Sequence, residues 1–319
     1  MKNSLVAFAF VAGAAAQAQG TAFVSSEKDN ALTIIDMARQ EVTGTLATCK
    51  RPRHMRLSPD GKQLIVACSE SNAADVIDLA TRKSVRRIPL GEDPEVFDLS
   101  PDGKTIYVGH EDDAQLAYID FASGKALKTV DVGKEPEGVL VSPDGKTVWV
   151  ASEAASLVHV IDAASGTVAK NIPVGKRPRR FALTADSGQL WVTSELDASV
   201  TVISTKDGSV IGKISFEVPG ARSTEITPVG ITMTKDGKRA YVGLGKANHV
   251  AFIDVPTRKV QSLVLVGKRA WGVALNKAET QLYVVNGLSD DLTIVDTASA
   301  KALKTLRVGR VPYMAVLVE

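Results

Sequence analysis

Histidine and cysteine are scarce: the 319 residues hold four of one and two of the other. The histidines, His54, His110, His159 and His249, never stand close together, and no CxxCH, HExxH, GxSxG or phosphate-loop pattern occurs. These absences argue against covalently attached c-type haem, a helix-borne zinc site, a nucleophile-elbow hydrolase and a P-loop nucleotide site. They leave open an enzyme whose site is assembled from single residues of distant segments. Charge of one sign is not in excess either. The 38 Lys and Arg against 36 Asp and Glu leave a net +2, no electrostatic footprint for nucleic acid. Beyond residue 18 no run is apolar for long enough to span a bilayer, and none has the 3.6-residue apolar period of an amphipathic helix.

What the chain does have is a period. The aspartate of an ID or VD pair falls at Asp36, Asp78, Asp120 and Asp162, is replaced at Ser204, and returns at Asp254 and Asp296, a spacing of 42 widened once to 50. An SPDG-like turn stands 18 residues before each, with its aspartate at Asp60, Asp102, Asp144, Asp186 and Asp236 and lost at Ala278. A period of about 40 to 45 residues holding several short strand-like runs marks propeller blades. In the third repeat, residues 136–142, 146–152, 157–162 and 167–174 are such runs, rich in valine and isoleucine as strands covered on both faces require. The Asp-Gly between the first two supplies a hairpin turn. Seven inner strands (A) can be counted, but the last, residues 312–319, ends the chain, whereas residues 21–27 resemble a second strand (B) with no strand A before it. The spacing therefore predicts an all-β, seven-bladed propeller of four-stranded antiparallel blades over residues 19–319, closed by the C-terminal strand A pairing with N-terminal strands B, C and D. Such closure removes free sheet edges from one blade.

Residues 1–18 read differently. Lys2, an apolar run over residues 5–16 and the small-x-small sequence Ala16-Gln17-Ala18 form a secretory signal with Gln19 as the expected mature terminus. A soluble periplasmic or secreted protein follows, and that compartment bears on the cysteines. Repeat alignment puts Cys49 in a D-to-A loop and Cys68 at the end of a strand B, both on the same face at blade 1. An oxidising compartment favours a disulfide; two free thiols, or two ligands of a metal with His54, are the alternatives.

Reading across blades locates a candidate site. At the entrance of strand A the ring runs Arg53, Glu95, Glu137, Arg179, Val229, Trp271, Tyr313, and one residue further His54, Val96, Gly138, Arg180, Gly230, Gly272, Met314. Equivalent positions carry charge in blades 1 to 4 and apolar or aromatic groups in blades 5 to 7, variation that folding alone does not require. Arg53, Arg179 and Arg180, flanked by Arg51 and Lys176, offer planar forks for carboxylate or phosphate, and Trp271 and Tyr313 offer stacking faces. The eight-residue excess of blade 5, within residues 217–227 (EVPGARSTEIT), adds Arg222 on the same face. The competing reading is mutual neutralisation of arginines and glutamates around a water-filled channel. A further ring, Glu27, Glu111, Glu153 and Glu195, repeats too faithfully to be a site and reads as structural, with a hard cation as the alternative. His159 and His249 fall in C strands and read as packing or surface residues.

The segments VSPDGKTVWVASE (residues 141–153) and LSPDGKTIYVGHE (99–111) resemble the YVTN class of seven-bladed propellers. More narrowly, KRPRHMRLSPDG (50–61), EPEGVLVSPDGK (135–146), ISFEVPGARSTEITPVGITMTKDGK (214–238) and GLGKANHVAFID (243–254) resemble the periplasmic propellers associated with catabolism dependent on pyrroloquinoline quinone (PQQ). The resemblance implies a place beside quinoprotein alcohol dehydrogenases and carries over no catalytic residues. Three readings follow. The first is a non-catalytic binding or accessory module, monomeric, holding PQQ, a small anionic metabolite or a partner dehydrogenase at the loop face of the channel. The second is a metal-dependent lactonase or lyase with Glu95, Glu137 and His54 as ligands. The third, a nucleic-acid-binding propeller, is opposed by the net charge and the secretory signal.

Overall fold

The computed structural model describes residues 20–319; the expected signal sequence and its junction at Gln19 lie outside them. Each repeat folds into one four-stranded antiparallel sheet, seven in all. Blade 1 comprises Pro52–Leu57, Gln63–Cys68, Ala73–Asp78 and Lys83–Pro89. Successive inner strands touch all the way round, with the strand Pro312–Val318 lying between Ala270–Leu275 and Pro52–Leu57. Closure follows the expected scheme: Pro312–Val318 pairs antiparallel with Thr21–Ser26, setting Val316 opposite Phe23, and Ala31–Asp36 and Glu41–Ala47 complete the seventh blade. Among the described residues no helix is long and apolar enough to cross a membrane.

Burial explains the composition of the strands. The two middle strands of each blade lie between neighbouring sheets, and Leu64 through Cys68 are fully buried. The outermost strands present lysine and arginine to solvent, as in Lys83–Pro89 and Lys301–Arg307. Charged side chains there keep a free edge from pairing with another chain.

Both periodic aspartates terminate strands by local hydrogen bonding. Asp78 Oδ1 accepts from the backbone N–H of Thr81 (2.8 Å) and Asp162 Oδ1 from that of Ser165 (2.7 Å), closing Asx turns. At Ser204 the marker is missing and Asp207 takes the work, accepting from the N–H of Ser209 at 3.0 Å. In the SPDG turns the serine hydroxyl donates to the aspartate, Ser142 to Asp144 at 2.6 Å, and accepts from the N–H of Thr147 at 2.9 Å. Where the aspartate is lost at Ala278, Asn276 accepts from the N–H of Gln281 at 2.9 Å, so the turn survives without it.

Blade junctions repeat a close approach between the D-to-A loop and the end of strand B. A Cβ on Gly133 would lie 2.8 Å from that of Ser152, and one on Gly309 would lie 2.6 Å from that of Ser26. Glycine is therefore the residue these junctions admit. At the junction between blades 7 and 1 the same pair of positions is Cys49 and Cys68, joined by a disulfide with Cα atoms 5.7 Å apart. A contact that elsewhere excludes a side chain is here a covalent bond.

Candidate functional site: the charged ring and the channel beneath it

Backbone geometry at the head of strand A aims the ring residues. The residue before the strand takes a positive φ in six blades, among them Arg51 (55°), Glu135 (56°), Arg177 (56°) and Arg269 (61°), a region sparsely used by residues other than glycine. The register then slips: Pro52 faces Cys68 but Met55 faces Val66, so that Arg53 and His54 together oppose one residue. The same shift separates Pro94 from Phe97 and Pro178 from Phe181. Bulges re-aim side chains and end regular pairing; these turn consecutive residues towards the channel.

Four ring members from adjacent blades form one ion network, and all are buried. Arg53 pairs with Glu95 and stands 3.7 Å from Glu137. Arg179, only 2% exposed, lies 3.4 Å from Glu137, contacts Glu153 and approaches Glu195 at 3.5 Å. Arg180 reaches Glu137 at 3.3 Å and donates to its backbone carbonyl and to the Tyr313 hydroxyl across the channel. At the seam with the apolar half the arginines stack: Arg53 lies 4.5 Å from the Tyr313 ring centroid and Arg179 5.2 Å from that of Trp271. The arginines therefore have glutamate partners already, and the geometry is that of mutual neutralisation.

The repeated glutamates supply counter-charge to the D-to-A loops. Glu27 pairs with Arg51 at 3.3 Å, Glu153 with Arg177 at 2.6 Å, and Glu195 with Arg177 at 3.2 Å. Proton affinities diverge between neighbours. Burial opposes the Glu137 charge, but Arg179, Arg53 and Arg180 outweigh it and hold its carboxyl at about 2. Glu153 goes the other way: burial, with Glu137 and Glu195, prevails over Arg179 and Arg177 and pushes it up to about 7.

The metal set read from sequence is not what the structure gathers. Glu95 comes together with Asp93 and Glu111, their ligand atoms within 4.8 Å of one another, and not with Glu137 and His54. His54 packs edge-on against Phe97, ring centroids 5.3 Å apart. The other histidines have local partners: His110 meets the Leu90 carbonyl, His159 accepts from the Gly133 N–H, and His249 meets the Ala247 carbonyl. Arg222 lies apart from the ring, 80% exposed and paired with Glu225 at 2.9 Å. Arg177 and Arg269 were missed, although the repeated text KRPR, KRPR and KRAW at residues 50–53, 176–179 and 268–271 marks them. Arg269 lies over the Trp271 ring, its guanidinium carbon 3.9 Å from the centroid. With Arg51, Arg53, Glu27, Trp271 and Tyr313 it lines a hollow of about 160 Å³ on the loop face. Beneath the ring lies a second cavity of about 170 Å³, to which all seven inner strands or their entrances contribute.

Seven pseudo-equivalent blades around a channel headed by unlike side chains define a seven-bladed β-propeller of YVTN type. Residues 116–286, more than half of the chain, match the choice-of-anchor I domain, and the chain belongs to that family. Residues 69–143 also match the YNCE-like β-propeller. No curated protein matches. Among solved structures, the chain is similar to Kuenenia stuttgartiensis hydrazine synthase, with 23% identity, a TM-score of 0.79, and 92% of this chain and 99% of that one covered. It is similar to the Pseudomonas aeruginosa periplasmic gluconolactonase PpgL, with 19% identity, a TM-score of 0.79 and coverage of 94% and 99%. The dihydro-heme d1 dehydrogenase NirN, in complex with DHE, is 17% identical, with a TM-score of 0.71 and coverage of 94% and 75%. At these identities the likeness is one of fold.

Proposed function

We propose that the chain is a non-catalytic periplasmic binding or accessory propeller that serves PQQ-dependent alcohol oxidation and takes its ligand or partner on the loop face. The observation that carries the reading is the hollow between blades 6, 7 and 1. Of its three arginines, Arg51 and Arg53 share Glu27 and Glu95, whereas Arg269 has no carboxylate within 4.0 Å among the described residues, and Trp271 and Tyr313 give the hollow flat walls. A planar polycarboxylate such as PQQ would lay one edge against Arg51 and Arg269, whose positions in loops outside the buried ring make them more available than Arg53 and Arg179. Calorimetric titration of PQQ into the purified protein tests this. Saturable binding that is lost in Arg51→Ala with Arg269→Ala supports cofactor handling at the hollow. No heat leaves docking of a quinoprotein dehydrogenase as the form to pursue, by co-purification from periplasm.

A second reading is a metal-dependent hydrolase of the lactonase kind. It rests on the gathering of Asp93, Glu95 and Glu111, although Arg51 approaches both Asp93 (3.7 Å) and Glu95 (3.6 Å). Metal analysis returning less than about one ion per ten chains ends it.

A further inference from the structure

The two ends of the channel are built differently. Towards the loop face, Arg180 spans from blade 4 to the Tyr313 hydroxyl of blade 7 and lies as a bar under the ion network. Towards the opposite face, where the SPDG turns lie, the cavity continues. Arg56, Leu140 and Met314 line both the 170 Å³ cavity and a wider vestibule of about 480 Å³ beyond it. The vestibule is apolar, walled by Leu57, Leu99, Val141 and Val316 and rimmed by the turn prolines Pro59, Pro101 and Pro143. Its one carboxylate among the described residues, Asp98, is engaged: it pairs with Arg56 at 2.6 Å and accepts from the Val141 N–H at 2.9 Å.

The inner cavity has the opposite character at its polar end. Among the described residues, Arg56 and Arg180 are the only charged side chains on its wall, and no carboxylate lines it. His54 shares that wall, buried, and among the described residues its Nδ1 has no hydrogen-bond partner. Burial first, then Arg56, Arg180 and Arg53, push the His54 pKa well below its ordinary value, so the imidazole is neutral; Arg56 keeps Asp98 (2.6 Å) and Arg180 keeps Glu137 (3.3 Å) as partners, and their guanidinium groups are the strong donors that the wall offers. An apolar pocket converging on a few polar groups is the usual form of a small-molecule site. A cation finds no carboxylate among the described lining residues of this one and a bulky polyanion has no room, whereas an apolar chain ending in one negative group meets guanidinium donors at one end and apolar walls at the other.

We propose that the turn-face half of the channel is a binding site, separate from the loop-face hollow, for a short apolar molecule carrying one carboxylate. The carboxylate lies towards Arg56 and Arg180, and the apolar part fills the vestibule against Leu140 and Met314. The ligand arrives from the face opposite to the charged ring.

Methionine placement gives the test. Met314 and Met55 line the vestibule, whereas Met233 packs against the core between blades 4 and 5 and Met37 belongs to the core between blades 6 and 7. With ¹³C-methyl methionine in the purified protein, sodium hexanoate is expected to shift the Met314 and Met55 resonances saturably and to leave those of Met37 and Met233 in place. Hexylamine produces no such shift and hexan-1-ol a weaker one. Removing the Arg56–Asp98 pair as a unit, Arg56→Gln with Asp98→Asn, weakens hexanoate about tenfold or more. Leu140→Trp, which fills the passage, does the same without touching a charge. Arg51→Ala with Arg269→Ala leaves hexanoate binding unchanged, so this site and the loop-face site succeed or fail separately. The proposal is overturned by no saturable shift up to about 10 mM hexanoate, by equal binding of hexylamine or hexan-1-ol, or by loss of binding in the loop-face variant alone.

Discussion

The ring at the head of the inner strands is one backbone position met seven times, and its two halves solve it in opposite ways. In blades 1 to 4, Arg53, Glu95, Glu137 and Arg179 are buried as ions; in blades 5 to 7, Val229, Trp271 and Tyr313 are buried as a small apolar cluster. The apolar half gains from burial directly. The ionic half must offset the desolvation of each charge through its neighbours, so no member is stable alone. A bulged, half-strained backbone thus accepts either chemistry, provided that adjacent blades agree. The halves join where Arg53 and Arg179 stack on Tyr313 and Trp271, the contact in which a cation and an apolar surface satisfy each other.

Breaking the ionic half is expected to have the largest effect. Glu137 faces Arg53, Arg179 and Arg180, and Glu137→Ala leaves three guanidinium groups short of a partner. A loss of about 3 to 5 kcal/mol is expected, read from guanidinium chloride unfolding. Val229→Ala, in the apolar half, is expected to cost about 1 to 2 kcal/mol. A Glu137 variant no less stable than the Val229 variant would mean that the two halves are energetically alike.

Next comes the covalent junction. Replacing Cys49 and Cys68 by serine removes a crosslink spanning 19 residues and is expected to lower stability by about 3 kcal/mol. Reductant should lower the unfolding midpoint of the parent protein and leave that of the double variant where it is. A parent insensitive to reductant would show that glycine-like packing at this junction suffices.

The blade count, the strand order and the closure were legible in the sequence because they rest on local chemistry repeated at fixed intervals. The Asx aspartates, the SPDG turns and the valine-rich middle strands each act within a few residues. The ring was legible as a list of unlike residues at like positions, but not as a network. Whether Arg179 waits for a ligand or holds Glu137 and Glu153 depends on bulges and positive-φ residues that bring four blades within contact distance. Only the three-dimensional arrangement shows that Glu95 gathers with Asp93 and Glu111, or that the channel opens on the turn face. Arg269 was missed for a related reason: its partner, Trp271, is two residues away in sequence, and stacking of this kind leaves no periodic trace.

Within the ionic half, pH separates two neighbouring glutamates. Glu137 has its pKa lowered on folding to about 2, below an unfolded value of about 4.3. Its contribution is therefore present above about pH 4.3 and is lost as pH falls through about 2. Glu153 is raised to about 7, so it takes up a proton on folding. Its contribution is full below about pH 4.3 and is lost as pH rises through about 7. Glu153→Gln keeps the neutral form at every pH. Relative to the parent, its stability should rise by about 1 kcal/mol or more between pH 5 and pH 8, followed by denaturant midpoints across that range. A constant difference between the two proteins would show that Glu153 remains ionised throughout.

The smallest effect is expected at Arg222, which shares a face and a charge with the ring arginines but not their setting. Its guanidinium is 80% exposed and meets only Glu225, three residues on. The blade 5 excess is anchored by other means: Val218 and Ile226 sink into the core between blades 4 and 5. An exposed pair of this kind contributes little, so Arg222→Ala should change stability by less than about 0.5 kcal/mol and leave PQQ affinity at the loop-face hollow within about twofold. A larger loss of affinity without loss of stability would draw the insertion into the binding face and extend the binding sector from blades 6, 7 and 1 to blade 5. Unchanged values would confine it to the hollow, where exposure and stacking, rather than charge alone, decide which arginines are free to act.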